Sequence, residues 1–129
     1  RRHVEQQFTA TVAFGDAHWL LGHMSDARTH YLEALALAEA EHHLPFEGML
    51  KLRLARLDEG TGTLNDRLAL AKRALVIAQS IHDSAGEADA WSLLADLHRQ
   101  LGQQNEAEQA DAHALAIYRN RELFVHGVR

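Results

Sequence analysis

Residues 84–118 read SAGEADAWSLLADLHRQLGQQNEAEQADAHALAIY. Gly102 divides this stretch into two helical runs. The spacing predicts a helix over about 85–101 with Ser84 as its cap, and Gly102 as its stop, because glycine readily adopts the left-handed conformation that ends many helices. Asn105 stands three residues before Glu108, a capping-box pattern that predicts the next helix start. Stepping back by forty residues reproduces the stretch twice. Gly102 meets Gly62 and then Gly22. Ala114 meets Ala74 and Ala34, Leu115 meets Leu75 and Leu35, and Ile117 meets Ile77 and Leu37. The polar pairs after each glycine align as well: Asn105-Glu106, Asn65-Asp66 and Ser25-Asp26. Self-similarity at this period marks a solenoid or array of small helical units, none of which can bury its apolar face alone.

The earlier units follow the same plan. A helix over 4–21 carries Val4, Phe8, Thr11, Val12, Phe14 and Leu21 at roughly helical spacing. Gly22 ends it, and Ser25 or Asp26 is placed to cap a helix over about 26–41. That helix aligns Ala27, Tyr31, Ala34, Leu35 and Ala38, a narrow stripe that lets a neighbouring backbone come close. Pro45 suits the first turn of a helix over 46–59. Gly60-Thr61-Gly62-Thr63 forms the loosest turn, and Asn65 is placed to cap a helix over about 65–82. The last helix is expected to end near Asn120. The fold class is therefore all-α: a right-handed superhelix of three antiparallel helix pairs. The chain of 129 residues forms a single domain with units at 4–43, 44–83 and 84–123, and residues 124–129 begin a shortened fourth unit or tail. It opens at Arg1 inside a predicted helix, and is read as a segment of a longer array.

Composition narrows the function. Apolar residues make up 47% and charged residues 24%, an ordinary balance for a globular protein. The formal charge is −5 and no basic block exceeds Arg1-Arg2. Nucleic-acid binding depends on Lys and Arg neutralising phosphates, so no nucleic-acid partner is expected. No apolar run approaches the ~18 residues of a membrane span, and no membrane partner is expected. Cysteine is absent, which excludes disulfides and thiolate metal sites and fits a reducing, cytoplasmic compartment.

The third unit carries the most specific motif: Trp91-x-x-Leu94-Ala95-x-x-His98, then Gly102, Ala107 and Ala114. The first unit has Phe14-Gly15-x-x-His18, Gly22, and Ala27-x-x-x-Tyr31-x-x-Ala34. This resembles the tetratricopeptide repeat, whose signature is W-x2-L-G-x2-Y followed by A-x3-F. His18 and His98 stand where that signature has tyrosine, while the middle unit has Asp58 there and Arg67 in place of alanine. The forty-residue period is longer than the usual thirty-four. This long variant is similar to repeats of large bacterial transcriptional regulators and signalling ATPases.

The resemblance implies a concave groove lined by the first helix of each unit. Carried over by alignment, the groove-facing residues are Thr9, Val12, Asp16, Trp19 and Leu20, then Met49, Leu52, Arg56 and Glu59, then Asp89, Ser92, Asp96, Arg99 and Gln100. The partner-binding candidates are Val12, Asp16, Trp19, Met49, Leu52, Arg56, Glu59, Asp96 and Arg99. Trp91, at the signature place, belongs to the core, while Trp19 is either an exposed anchor or packing against the next helix. Family members that clamp a terminal carboxylate use Lys, Asn and Arg. The corresponding places here hold Val12, Asp16, Arg53, Asp89 and Leu93, and the two aspartates argue against that use.

Catalysis and metal binding find little support at this level. There is no G-x-S-x-G elbow and no phosphate-cradling G-K-[ST] loop, so no enzymatic activity and no cofactor are expected. Ten histidines are present, yet none are paired at i, i+4. His18 and His23 are five apart with a helix-ending glycine between them. No metal site is expected, and His18 and His98 are read as packing within the helix pairs with one ring nitrogen hydrogen-bonded. The function that follows is a protein-interaction scaffold binding a peptide or protein segment. The alternatives are self-association through uncapped solenoid ends and small-ligand sensing in the concave pocket.

Overall fold

The computed structural model describes residues 2–57 and 62–125, and the side chains of residues 3–57 and 62–121. Among these, six helices and no strands occur: α1 (Arg2–Leu20), α2 (Met24–Ala40), α3 (Leu44–Arg56), α4 (Leu64–Ser80), α5 (Ser84–Gln100) and α6 (Gln104–Val125). Each helix packs on the next in chain order, and α3 also touches α5. Short turns between contacting helices make neighbours antiparallel. The result is an all-α helical repeat solenoid.

The turns show a finer cadence than the forty-residue repeat. Positive φ angles occur at Gly22, His42, Gly62, His82 and Gly102, at twenty-residue intervals. Four of these turns share one bond, in which the N–H just after the left-handed residue returns to a carbonyl five back. His23 donates to His18, His43 to Ala38, Asp83 to Ala78 and Gln103 to His98, at 2.8–2.9 Å. This is the Schellman closure, which satisfies carbonyls that the helix leaves without partners. Glycine was expected to provide the stop; the two histidines doing the same work were not.

The helices after the glycine turns start two residues earlier than the predicted caps allow. Ser25, Asn65 and Asn105 lie inside helices that start at Met24, Leu64 and Gln104. Thr63 caps α4, accepting from the Asp66 N–H, while the Asp66 carboxylate accepts from the Thr63 N–H. Asp83, not Ser84, caps α5 by accepting from the Gly86 N–H at 3.0 Å. Pro45 occupies the first turn of α3. The last helix does not stop near Asn120 but continues to Val125. No glycine or proline lies between those residues to interrupt it.

Two clusters form the core. The first gathers Phe8, Val12, Tyr31, Leu50, Leu54 and Leu57 with Ala27, Ala34 and Ala38. The second gathers Leu52, Leu68, Leu75, Leu94 and Leu97 with small residues including Ala55, Ala71, Ala74, Ala90 and Ala95. Leu70 packs against both. Burying each large side chain stabilises the fold by about 1.5–3 kcal/mol. Ala34, Ala74 and Ala114 are all buried, so helices cross closely there.

The middle unit departs from this scheme. α3 ends at Arg56, and Leu57 leaves it in an extended conformation. Arg67 replaces the alanine that is fully buried at positions 27 and 107, yet is itself buried. Its guanidinium donates to the Ala55 carbonyl at 2.9 Å and the Arg56 carbonyl at 3.4 Å. A side chain thus satisfies the helix-end carbonyls that a tight turn satisfies elsewhere.

Candidate functional site

Two clefts meet at α3. The larger, about 450 Å³, lies between α3, α4 and α5. Met49, Leu52, Ile77 and Ile81 supply much of its apolar lining, and Arg53, Arg56, Asp83 and Asp89 its charges. The smaller, about 210 Å³, lies between α1, α2 and α3 and is lined by Asp16, Trp19, Leu20, Tyr31, Arg53 and Arg56. Arg53 and Arg56, one turn apart on α3, line both clefts.

The polar centre is a triad. Arg53 Nε donates to Asp16 Oδ1 at 2.8 Å and Arg53 Nη2 to Oδ2 at 3.2 Å. The Tyr31 hydroxyl also donates to Asp16 Oδ1. Burial by itself would raise the Asp16 carboxyl, but the hydrogen bonds from Arg53 and Tyr31 and the charges of Arg53 and Arg56 outweigh it. The carboxyl is held below its usual range. Tyr31 is pushed well above the ordinary phenol range by burial and by its bond to a carboxylate. Two-point pairing fixes Arg53 in place, so it is a wall of both clefts more than a free ligand group. Arg56 is exposed and has no ion-pair partner among the described residues. Among the described residues it is the unpaired positive charge at the junction.

The predicted groove residues divide. Asp16, Trp19, Leu20, Met49, Leu52, Arg56 and Asp89 line the clefts. Trp19 is 39% exposed, while Leu52 is 8% exposed and forms the floor. Val12 is not on the groove surface: it continues the stripe begun by Phe8 into the first core cluster. Thr9 lines a separate shallow depression on α1. Asp96 and Arg99 line neither cleft; Arg99 pairs with Asp96 at 3.4 Å and with Asp111 on α6. Glu59, and Asp58 with it, lie outside the described residues. Trp91 is partly buried against the second core, stacks on His113 at 4.2 Å and donates to Glu87 at 3.3 Å. The role of Tyr31 in the cleft was not anticipated from the sequence. Its aromatic place in the repeat was visible, but its carboxylate partner lies fifteen residues away on another helix.

His18 and His98 are half-buried and each has one ring nitrogen partnered. His98 Nδ1 meets Gln103 Oε1 at 2.7 Å and His18 Nδ1 meets His23 Nδ1 at 3.3 Å. Among the described residues, His18, His23 and Asp26 are the group that could share a metal ion. A search for i, i+4 pairs misses it because the turn at Gly22 folds the two histidines together.

Residues 88–121 match the tetratricopeptide repeat model. The structure is similar to the crystal structure of the tetratricopeptide-repeat domain of Arabidopsis FLU, with a TM-score of 0.80 at 18% identity over 91% of this chain and 98% of that one. No curated protein matches the sequence. No helix among the described residues is long and apolar enough to cross a membrane.

Proposed function

We propose that this tetratricopeptide-repeat chain is a protein-interaction scaffold that binds a peptide or protein segment along the two clefts beside α3. The observation that carries the reading is the junction itself. Arg56, which has no ion-pair partner among the described residues, stands between a cleft walled by Trp19 and one lined by Met49, Leu52 and Ile77. Trp and Arg are enriched among residues that dominate binding energy. A segment with an acidic group for Arg56 and an apolar side chain for the larger cleft fits that arrangement. The fixed Asp16–Arg53 pair leaves little positive charge for a second carboxylate. The scaffold would form part of a larger regulatory protein acting in the cytoplasm.

Selection of binding peptides from a random display library tests this. Acidic-apolar segments are expected to be enriched, and Arg56→Glu and Met49→Lys to abolish their binding. Selected peptides that bind both variants as well as the parent chain would refute the groove reading.

A second reading rests on Leu115. Its register equivalent Leu75 is 8% exposed, whereas Leu115 is 48% exposed on α6. That face of α6 would dock a second copy of the chain. Light scattering that finds only monomer at high micromolar concentration would remove this reading.

A further inference from the structure

We propose that His18, His23 and Asp26 form a binding site for a divalent transition-metal ion, zinc being the best match, at the α1–α2 turn. The donor set is two imidazole nitrogens and a carboxylate oxygen, all lying within 4.8 Å of one another. Zinc takes these donors, and imidazole–carboxylate sets favour it over calcium or magnesium. Two nitrogens bound to one zinc at ~2.0–2.1 Å and tetrahedral angles are about 3.3–3.4 Å apart. The two Nδ1 atoms are already 3.3 Å apart. Asp26 Oδ2 lies 3.9 Å from His18 Nδ1, and this exposed side chain closes the set by moving toward the two imidazoles.

Two further observations favour a ligand role. His23 is the N-cap residue of α2, but its side chain makes no capping bond. Its counterparts at the same place in three later turns, His43, Thr63 and Asp83, each accept a bond from their own helix. The His23 ring instead turns back toward His18. The His18 ring is held in turn by His30, stacked on it at 5.4 Å and 8°, and His30 also stacks with Phe14. A ligand ring whose orientation is already fixed loses little freedom on binding a metal. The three protein donors leave one coordination position open, for water or a donor from another chain. The matching turn at Gly102 pairs His98 with Gln103, and so lacks the second imidazole.

The alternative is a plain imidazole–imidazole hydrogen bond. Calorimetric titration of the metal-stripped chain with zinc separates the two. One zinc per chain is expected, with a rise in melting temperature, and cobalt in its place should give the intense visible bands of a four-coordinate site. His23→Gln and Asp26→Asn change exposed side chains and should each weaken binding at least about tenfold, the loss that even an outer-shell partner causes. His82→Asn, in the remote turn after α4, should leave the affinity unchanged. Absence of zinc binding overturns the proposal. So does binding that His23→Gln and Asp26→Asn leave intact, which would place the ion among other histidines.

Discussion

Two seams join successive helix pairs, and the same positions build them by different means. At the first seam, Tyr31, Asp16 and Arg53 lock α2, α1 and α3 through a hydrogen-bonded ion pair. Forty residues on, those places hold Ala71, Arg56 and Leu93. Ala71 is fully buried and Leu93 packs on the second core cluster, while Arg56 has no ion-pair partner among the described residues. The backbone scaffolding also adjusts. A Cβ at Gly15 would sit 2.5 Å from the Tyr31 ring, so the large ring and the missing side chain require each other. In the next unit the corresponding pair is Ala55 with Ala71, both fully buried. The repeat therefore conserves a helix path, not a set of contacts. Arg56 is the by-product of that change, since replacing the first seam's acid with a base leaves a charge facing the cleft.

The comparison can be broken most severely at Arg67, the buried cation in the otherwise apolar second half. Arg67→Ala restores the residue type found at positions 27 and 107 but strips the donors from the end of α3. We expect a loss of about 2–4 kcal/mol in denaturant unfolding. A loss below ~1 kcal/mol would mean that the middle unit tolerates alanine as its neighbours do. Gly15→Ala is next, at about 1–3 kcal/mol, through overpacking against Tyr31. In a cycle with Tyr31→Ala the two changes should couple by ~0.5 kcal/mol or more. Strict additivity would show that ring and glycine are independent. Ala74→Leu, at the close helix crossing, should cost about 1–3 kcal/mol by the same overpacking.

The charged seam also responds to acid. Asp16 has a lowered native pKa, so its contribution is present above the ordinary carboxylate value of 3.8 and is lost as pH falls through the native one. Asp16→Asn should cost about 0.5–1.5 kcal/mol near neutrality, the partly exposed pair being screened by solvent. Thermal melts should show that difference vanishing in acid. A constant difference across the range would assign it to packing. The smallest effect should be a gain. His82 holds a left-handed conformation without glycine's freedom, and His82→Gly should stabilise the chain by about 0.5–1 kcal/mol. Unchanged stability would mean that the His82 side chain compensates for its strained backbone.

Periodicity made most of the fold readable, because Gly22, Gly62 and Gly102 and the three buried alanines recur visibly. The cap positions were misread for a physical reason. Ser25, Asn65 and Asn105 are good capping residues, but the Schellman closure after Gly22 and Gly102 and the Thr63–Asp66 capping box after Gly62 start each helix two residues earlier. The half-period was hidden because His42 and His82 take a conformation usually assigned to glycine. The groove was only partly readable. Alignment with the repeat family put Val12 and Leu52 with Asp16 and Trp19, yet it could not show that Val12 is buried in the first core cluster while Trp19 remains open. The Tyr31–Asp16–Arg53 triad and the His18–His23–Asp26 group each join residues from different helices, a juxtaposition that no single-helix pattern encodes.

The twenty-residue rhythm of left-handed turns acts as a ruler for changing the protein's length. From α2 onward each helix starts twenty residues after the one before it, at positions 24, 44, 64, 84 and 104. Adding or removing a whole forty-residue block would keep every joint in phase. An insertion of any other length within a helix would carry a left-handed turn into the wrong register and set two faces of the stack against each other.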